Sequence, residues 1–304
     1  MTEEAVQAIN ECSNIVKDKL AQGEIIYGVN TGFGGSADQR SDAVDSLQQR
    51  LFTLLMAGVT STGGSDLNVS TASGTTCMPE AWVRASMVVR LNSLAAGASG
   101  VRIQITDRLS EMLNHDIVPL VPIRGSISAS GDLSPLAYIG GVLQGKKYLS
   151  AFVGPRGPQG ERKLLRADVA LAQANLPPLG VQAKEGLAIV NGTAVSAGVA
   201  ALAAYECTNL AALSQVLTAM TVEALCGPTK ASTRSLPKCD RIQGRRIAHG
   251  IYFASCPDLG SSTISQAGRC AKTDTLSALR ACGSVLSWKI SSLLMLRFRR
   301  SLTR

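Results

Sequence analysis

Several things are scarce in this 304-residue sequence, and each scarcity removes a class of function. Aromatic residues make up only 4%, and Ala, Leu, Ser and Gly dominate, which argues against a sheet protein rich in Val, Ile and aromatics. Only two histidines occur, His115 and His249, and they are isolated, so neither a metal site nor a histidine-activated nucleophile is expected. The eight cysteines show no regular spacing and no Cys-x-x-Cys pair, which excludes a disulfide framework and a zinc site. No cleavable leader opens the chain, because "MTEEAVQAINECSNIVKDKL" is an acidic amphipathic pattern, and the expected compartment is the cytoplasm. The longest apolar stretch, inside residues 191–227, is interrupted by Glu206, Asn209, Gln215 and Glu223. It falls short of the ~20 apolar residues of a membrane span, so no membrane partner is expected.

Acidic residues are scarce in one region only. Residues 1–232 carry 17 basic against 19 acidic side chains, whereas residues 233–304 carry 13 against 3 and half of the cysteines. The composition therefore changes near residue 232, and the chain divides there into two segments.

What is present is helical. Apolar periodicity predicts helices over about Glu3–Leu20, Asp42–Ala57, Glu80–Ala96 and Val101–Leu113. "DIVPLVPIRGS" has two prolines and reads as extended. A helix follows from about Leu133 with Asp132 as its N-cap, and "GPRGPQGE" is a turn-rich loop. The longest periodic segment runs from about 192 to 226 and stops at Gly227-Pro228. Being Ala-rich and nearly apolar all round, it belongs at the centre of a helical bundle.

One turn carries unusual chemistry. In "RGSISASGDLSPLAYIGG" the small residues Ala129, Ser130 and Gly131 precede a helix start. The Gly131 nitrogen has no side chain to hinder attack on the Ala129 carbonyl carbon. Loss of two waters would give a five-membered imidazolone with a methylidene derived from Ser130, and the adjacent helix N-terminus would favour electron density on that ring. "GVNTGFGG" lacks the Lys-Ser/Thr end of a phosphate loop. Taken singly, Tyr27 reads as a packing residue and Asn191 as a helix cap.

Several segments in order carry a resemblance. "ISASGDLSPLAYIGGVLQG" is similar to the signature of the aromatic amino acid lyases, the phenylalanine, tyrosine and histidine ammonia-lyases and related aminomutases. "IIYGVNTGFGGSADQR" resembles the family's Tyr-containing Gly-rich loop, "ASMVVRLNSLAAGASGVR" the segment ahead of the signature, and "QAKEGLAIVNGTAVSAG" its Asn-Gly-Thr motif. The wording of "SGDLSPLAYI" and "VEALCG" points to the fungal phenylalanine branch. The resemblance implies a mainly α fold: an incomplete long-helix bundle of the ammonia-lyase type with an irregular N-terminal catalytic region over residues 1–232. It implies that Ala129, Ser130 and Gly131 form the electrophilic ring, with no external cofactor and no metal. Tyr27 would be the base that removes the substrate β-proton. A phenol yields its proton reluctantly at neutral pH, so its anion needs stabilising. Gly28, Gly32, Gly34 and Gly35 would free its loop to act as a lid, and Asn191 would bond the ring and orient the substrate. Leu54 and Leu55 stand where the family reads the substrate ring. They offer an apolar wall against which an unpartnered hydroxyl would cost ~1–3 kcal/mol, favouring L-phenylalanine. Deamination to trans-cinnamate and 2,3-amino migration both remain open. The family member would be a homotetramer.

The resemblance ends near residue 230. The family's Pro-His-Pro-Gly-Gln stretch and its Gln-Asp-Arg-Tyr segment, with the Arg that binds the substrate carboxylate, are absent. Back-translating residues 236–245 and reading from the third base of each codon can recover the first. The same shift over 269–280 recovers the second, and a third family motif follows from 282–294. Residues 233–304 are thus expected to be a non-homologous, out-of-frame and poorly ordered tail. Its basic charge then implies no nucleic-acid partner, although such a segment ordinarily suggests one. The chain as written is expected to be inactive, and the alternative is a non-catalytic homologue that only associates with intact subunits.

Overall fold

The computed structural model describes residues 1–59, 76–125, 133–156 and 162–224. The Ala129-Ser130-Gly131 turn, Asp132, most of the "GPRGPQGE" loop and the tail beyond 224 lie outside the described residues. Residues 1–203 form one compact unit and the chain from Ala204 another.

In the first unit, α1 spans Glu3–Ala21. Its start is fixed by Thr2, whose hydroxyl accepts the Ala5 N–H, and by Glu3 and Glu4 in the first turn. An irregular loop with a 3-10 turn at Gly34–Ser36 leads to α2, Val44–Leu55. Helices α3, Glu80–Ala95, and α4, Ile103–Asn114, pack on each other and on α1. The Pro-bearing segment then runs extended, as expected. Val118–Pro119 forms β1, and bridges join Cys77 to Pro122 and Val59 to Arg124.

Helix α5, Leu133–Leu143, is the centre of the core, with every residue from Pro135 to Leu143 buried. Two short strands, β2 (Ser150–Val153) and β3 (Lys163–Arg166), make an antiparallel sheet in the order β1-β2-β3. Register pairs Val118 with Phe152 and Ser150 with Arg166, and Pro119 sits on an edge strand, where its missing N–H is tolerated. Helices α6, Ala167–Gln173, and α7, Glu185–Val190, complete the layer around α5. Both α2 and α7 pack on α5 and on each other. The closeness centres on Gly140, where an added Cβ would lie 2.5 Å from Phe52 Cε1 and 3.0 Å from Ile189 Cγ2.

Helix α8 runs from Ala194 to Ala224, 31 residues, close to the span expected from periodicity. Its first turns belong to the first unit, where Gly198 approaches the backbone of Ser86. In the second unit it exposes Tyr205, Leu210, Leu213, Leu217 and Met220. One expectation needs correcting. An 18-residue window within Glu185–Thr218 reaches a mean hydropathy of 1.8, so by length and composition the stretch could cross a membrane despite its polar interruptions.

Candidate functional site

The loop after α1 is irregular but internally bonded. Gly28 N–H donates to Thr31 Oγ1 at 2.9 Å, Ile26 N–H to Asn30 Oδ1 at 2.8 Å, and Gly32 N–H to the Gln39 carbonyl at 2.9 Å. Gly28 takes a φ of +65°, open to glycine at little cost. Tyr27 is 53% exposed, and its hydroxyl oxygen accepts the Gly34 N–H at 3.0 Å. A backbone donor on the phenolic oxygen is the kind of partner that a proton-abstracting tyrosine requires.

Asn191 ends α7 as its C-cap residue, with its N–H donated to the Leu187 carbonyl at 3.0 Å. Its exposed side chain makes no hydrogen bond to another described residue. Asn191 is thus the helix cap that its residue type suggested, placed at the C-terminal end of α7. Leu54 and Leu55 occupy the last turn of α2, where Leu54 is 73% exposed and Leu55 packs partly against the core. Residues 126–132, which hold Ala129, Ser130 and Gly131, lie outside the described residues, and only what borders them is described. On one side Val59 N–H donates to the Arg124 carbonyl at 2.9 Å, and on the other α5 begins at Leu133. Tyr138 of α5 accepts the Gly58 N–H at 3.0 Å; burial raises its phenol pKa even though that hydrogen bond opposes the shift.

Three residues not anticipated from sequence organise this region. Glu185, 1% exposed, opens α7 and takes four donors: Arg102 N at 3.1 Å, Arg102 Nε at 2.7 Å, Arg102 Nη2 at 2.8 Å and Gln182 N at 2.7 Å. The hydrogen bonds that Arg102 donates to Glu185 hold its guanidinium pKa above the ordinary value, against the opposing effect of burial. Arg90, 6% exposed, donates to the Ala188 carbonyl near the C-terminal end of α7, and burial lowers its pKa. Gln48 of α2 is fully buried. Its Nε2 donates to the Gly28 carbonyl at 2.9 Å and its Oε1 accepts the Leu187 N–H at 3.1 Å. Glu185 and Arg90 lay inside recognised segments without being singled out, and nothing in the sequence distinguished Gln48 from a surface polar residue.

A Tyr-bearing loop bonded to α2, and a short Asn-ended helix packed on a buried helix that follows an Ala-Ser-Gly sequence, set the class: a mainly helical protein with the ammonia-lyase fold. The family profile for aromatic amino acid lyases matches residues 1–290, and the chain belongs to that family. The match runs past residue 232 into the segment that composition sets apart. The phenylalanine ammonia-lyase of Flammulina velutipes is 46% identical over 226 residues, covering 73% of this chain and 31% of the relative. Phenylalanine ammonia-lyase hkm12 of Aspergillus hancockii is 47% identical over 227 residues, 74% of this chain and 31% of the relative. Among solved structures, phenylalanine ammonia-lyase from Rhodosporidium toruloides superposes with a TM-score of 0.67 at 33% identity, over 83% of this chain and 34% of that one. Phenylalanine aminomutase from Pantoea agglomerans gives 0.70 at 26% identity, over 85% and 46%. The chain spans about a third of the length of the curated relatives it matches.

Proposed function

We propose that the chain carries the N-terminal part of a cytoplasmic, homotetrameric carbon–nitrogen lyase that converts L-phenylalanine to trans-cinnamate and ammonia. The observation that supports this most is the match to fungal phenylalanine ammonia-lyases at 46–47% identity over 226 and 227 residues. The small residues at 129–131 suit a self-formed imidazolone, since they leave the Gly131 nitrogen unhindered and a buried helix begins soon after, at Leu133. When formed, that ring supplies an electrophile that unmodified side chains lack. In this reading Tyr27 Oη accepts the β-proton, with the Gly34 N–H already directed at that oxygen. The uncommitted amide of Asn191 orients the substrate. Leu54 and Leu55 line the ring of the substrate, exclude water from it, and disfavour a para-hydroxyl by ~1–3 kcal/mol. The likeness to an aminomutase structure supports 2,3-amino migration as the second reading, because the same electrophile serves both reactions.

In the same reading residues 233–304 are the out-of-frame remnant of the rest of the enzyme, and the substrate carboxylate lacks the Arg that would pair with it. Such a loss forfeits several orders of magnitude in rate. Purified, the 304-residue chain should form no measurable cinnamate, and a frame-restored chain should form it from L-phenylalanine with no added cofactor. Absorbance of cinnamate reads both. Ser130→Ala in the restored chain should remove nearly all turnover, and a variant that kept most of it would refute the electrophile.

A further inference from the structure

We infer that Gln48 is a positioning residue that locks the Tyr27 loop to the helix ending at Asn191. Its importance for a reaction rests on the function proposed above, but the coupling itself stands on packing and hydrogen bonds alone. Gln48 sits in α2 with 0% exposure. Its two hydrogen bonds reach residues 20 and 139 positions away in sequence. The partners are of opposite kind, a carbonyl at Gly28 and an N–H at Leu187, so only one orientation of the amide satisfies both. Gly28 directly follows Tyr27, and the carbonyl of Leu187 receives the N–H of Asn191. One planar amide thus joins the residue next to the phenol to the turn that presents the asparagine.

The surroundings are shaped for this contact. A Cβ on Gly186 would stand 2.6 Å from Gln48 Oε1, and one on Gly28 would stand 2.8 Å from Leu187 Cδ2. The loop therefore meets α7 at Gly28, and α7 meets Gln48 at Gly186. No isosteric residue reproduces the arrangement. A glutamate offers acceptors only when ionised, and a methionine offers neither a strong donor nor a strong acceptor. A half-satisfied buried amide costs more than an absent one, so the group is either fully bonded or disruptive.

The test is amide hydrogen exchange on the full 304-residue chain, comparing wild type with Gln48→Glu and Gln48→Met. In Gln48→Glu the ionised side chain still accepts from Leu187 but cannot donate to Gly28. Exchange at Gly28 to Gly32 should quicken roughly ten- to a hundredfold, while Leu187 and Asn191 keep their protection. Acid should restore the loop, because a protonated carboxyl regains a donor, and burial places that midpoint above the ordinary glutamate value. Asp45 and Arg50 on α2 itself, Glu24, Tyr27, Asp38, Arg40 and Asp42 on the loop, Lys184 and Glu185 at the start of α7, with Glu185 paired to Arg102, and Tyr138 on α5 are unchanged between variants. In Gln48→Met both segments should loosen. If Gln48→Glu unfolds at neutral pH, recovery of loop protection in acid supports the coupling. Unchanged loop exchange at neutral pH overturns it, as does equal loosening of both segments at both pH values. None of these readouts needs turnover. A failed cinnamate assay on the frame-restored chain would refute the lyase reading and leave the coupling intact, and the exchange data could fail with the lyase reading unharmed.

Discussion

Helix α5 and the part of α8 beyond Ala203 are made of the same apolar residues, yet α5 is buried from Pro135 to Leu143, whereas α8 leaves Leu210, Leu213 and Leu217 more than half exposed. Spacings of three and four place those leucines and Met220 along one face. Burial of each would be worth roughly 1.5–3 kcal/mol. Apolarity does not decide burial; neighbours do. The neighbours of α5 come from α2, about 80 residues earlier, and α7, about 50 residues later, and both lie within the first unit. In the proposed reading the cover for α8 would come from the in-frame continuation and from further subunits, neither of which the tail supplies.

That contrast can be broken experimentally. Gly140→Val should have the largest effect, because its side chain must displace Phe52 and Ile189 where α2, α5 and α7 meet. A loss of about 1–3 kcal/mol in urea unfolding followed by circular dichroism is expected, and a change below ~0.5 kcal/mol would mean that α5 is not tightly enclosed. Acid should have a smaller effect. Asp116 is partly buried, which favours its neutral form, but the hydrogen bond from Arg156 and the charges of Arg162, Arg156 and Arg84 outweigh this and hold its carboxyl pKa below the ordinary value. A depressed folded-state pKa contributes stability that is full above the ordinary aspartate value of about 3.9 and is lost as pH falls through the folded value. The wild-type advantage over Asp116→Asn should be at most ~1 kcal/mol near neutrality and vanish in strong acid, and an advantage independent of pH would disprove the linkage. The smallest effect on stability belongs to α8. Leu213→Glu with Leu217→Glu should shift unfolding by less than ~0.5 kcal/mol, yet light scattering should show less self-association. A large destabilisation would show that this face is already covered in the free chain.

Helices α1 to α5 and α8 were legible because their apolar residues recur at helical spacing, whereas α6 and α7, of seven and six residues, were too short to show that period. The strands β2 and β3 were not legible either. At four residues each they are too short to show alternation, and they flank a Gly- and Pro-rich connection that reads as loop. Tyr27 and Asn191 were singled out through motif context, and the structure adds the Gly34 N–H on the Tyr27 hydroxyl and the Leu187 carbonyl on the Asn191 backbone N–H. Gln48 was invisible because a glutamine in an amphipathic helix ordinarily marks the wet face. Its burial depends on partners at Gly28 and Leu187 that no local pattern reveals. Arg102 and Glu185, 83 positions apart, were hidden for the same reason.

The bond between Gln48 and Leu187 also sets a schedule for the nascent chain. The loop and α2 leave the ribosome early, but their shared partner is made 139 residues later. At roughly 5–20 residues per second, synthesis leaves them waiting on the order of ten seconds before α7 exists to receive them. During that interval the amide of Gln48 and the apolar side of Phe52 face water or a chaperone. The stretch bearing Tyr27 is therefore translated well before the partner that completes its form.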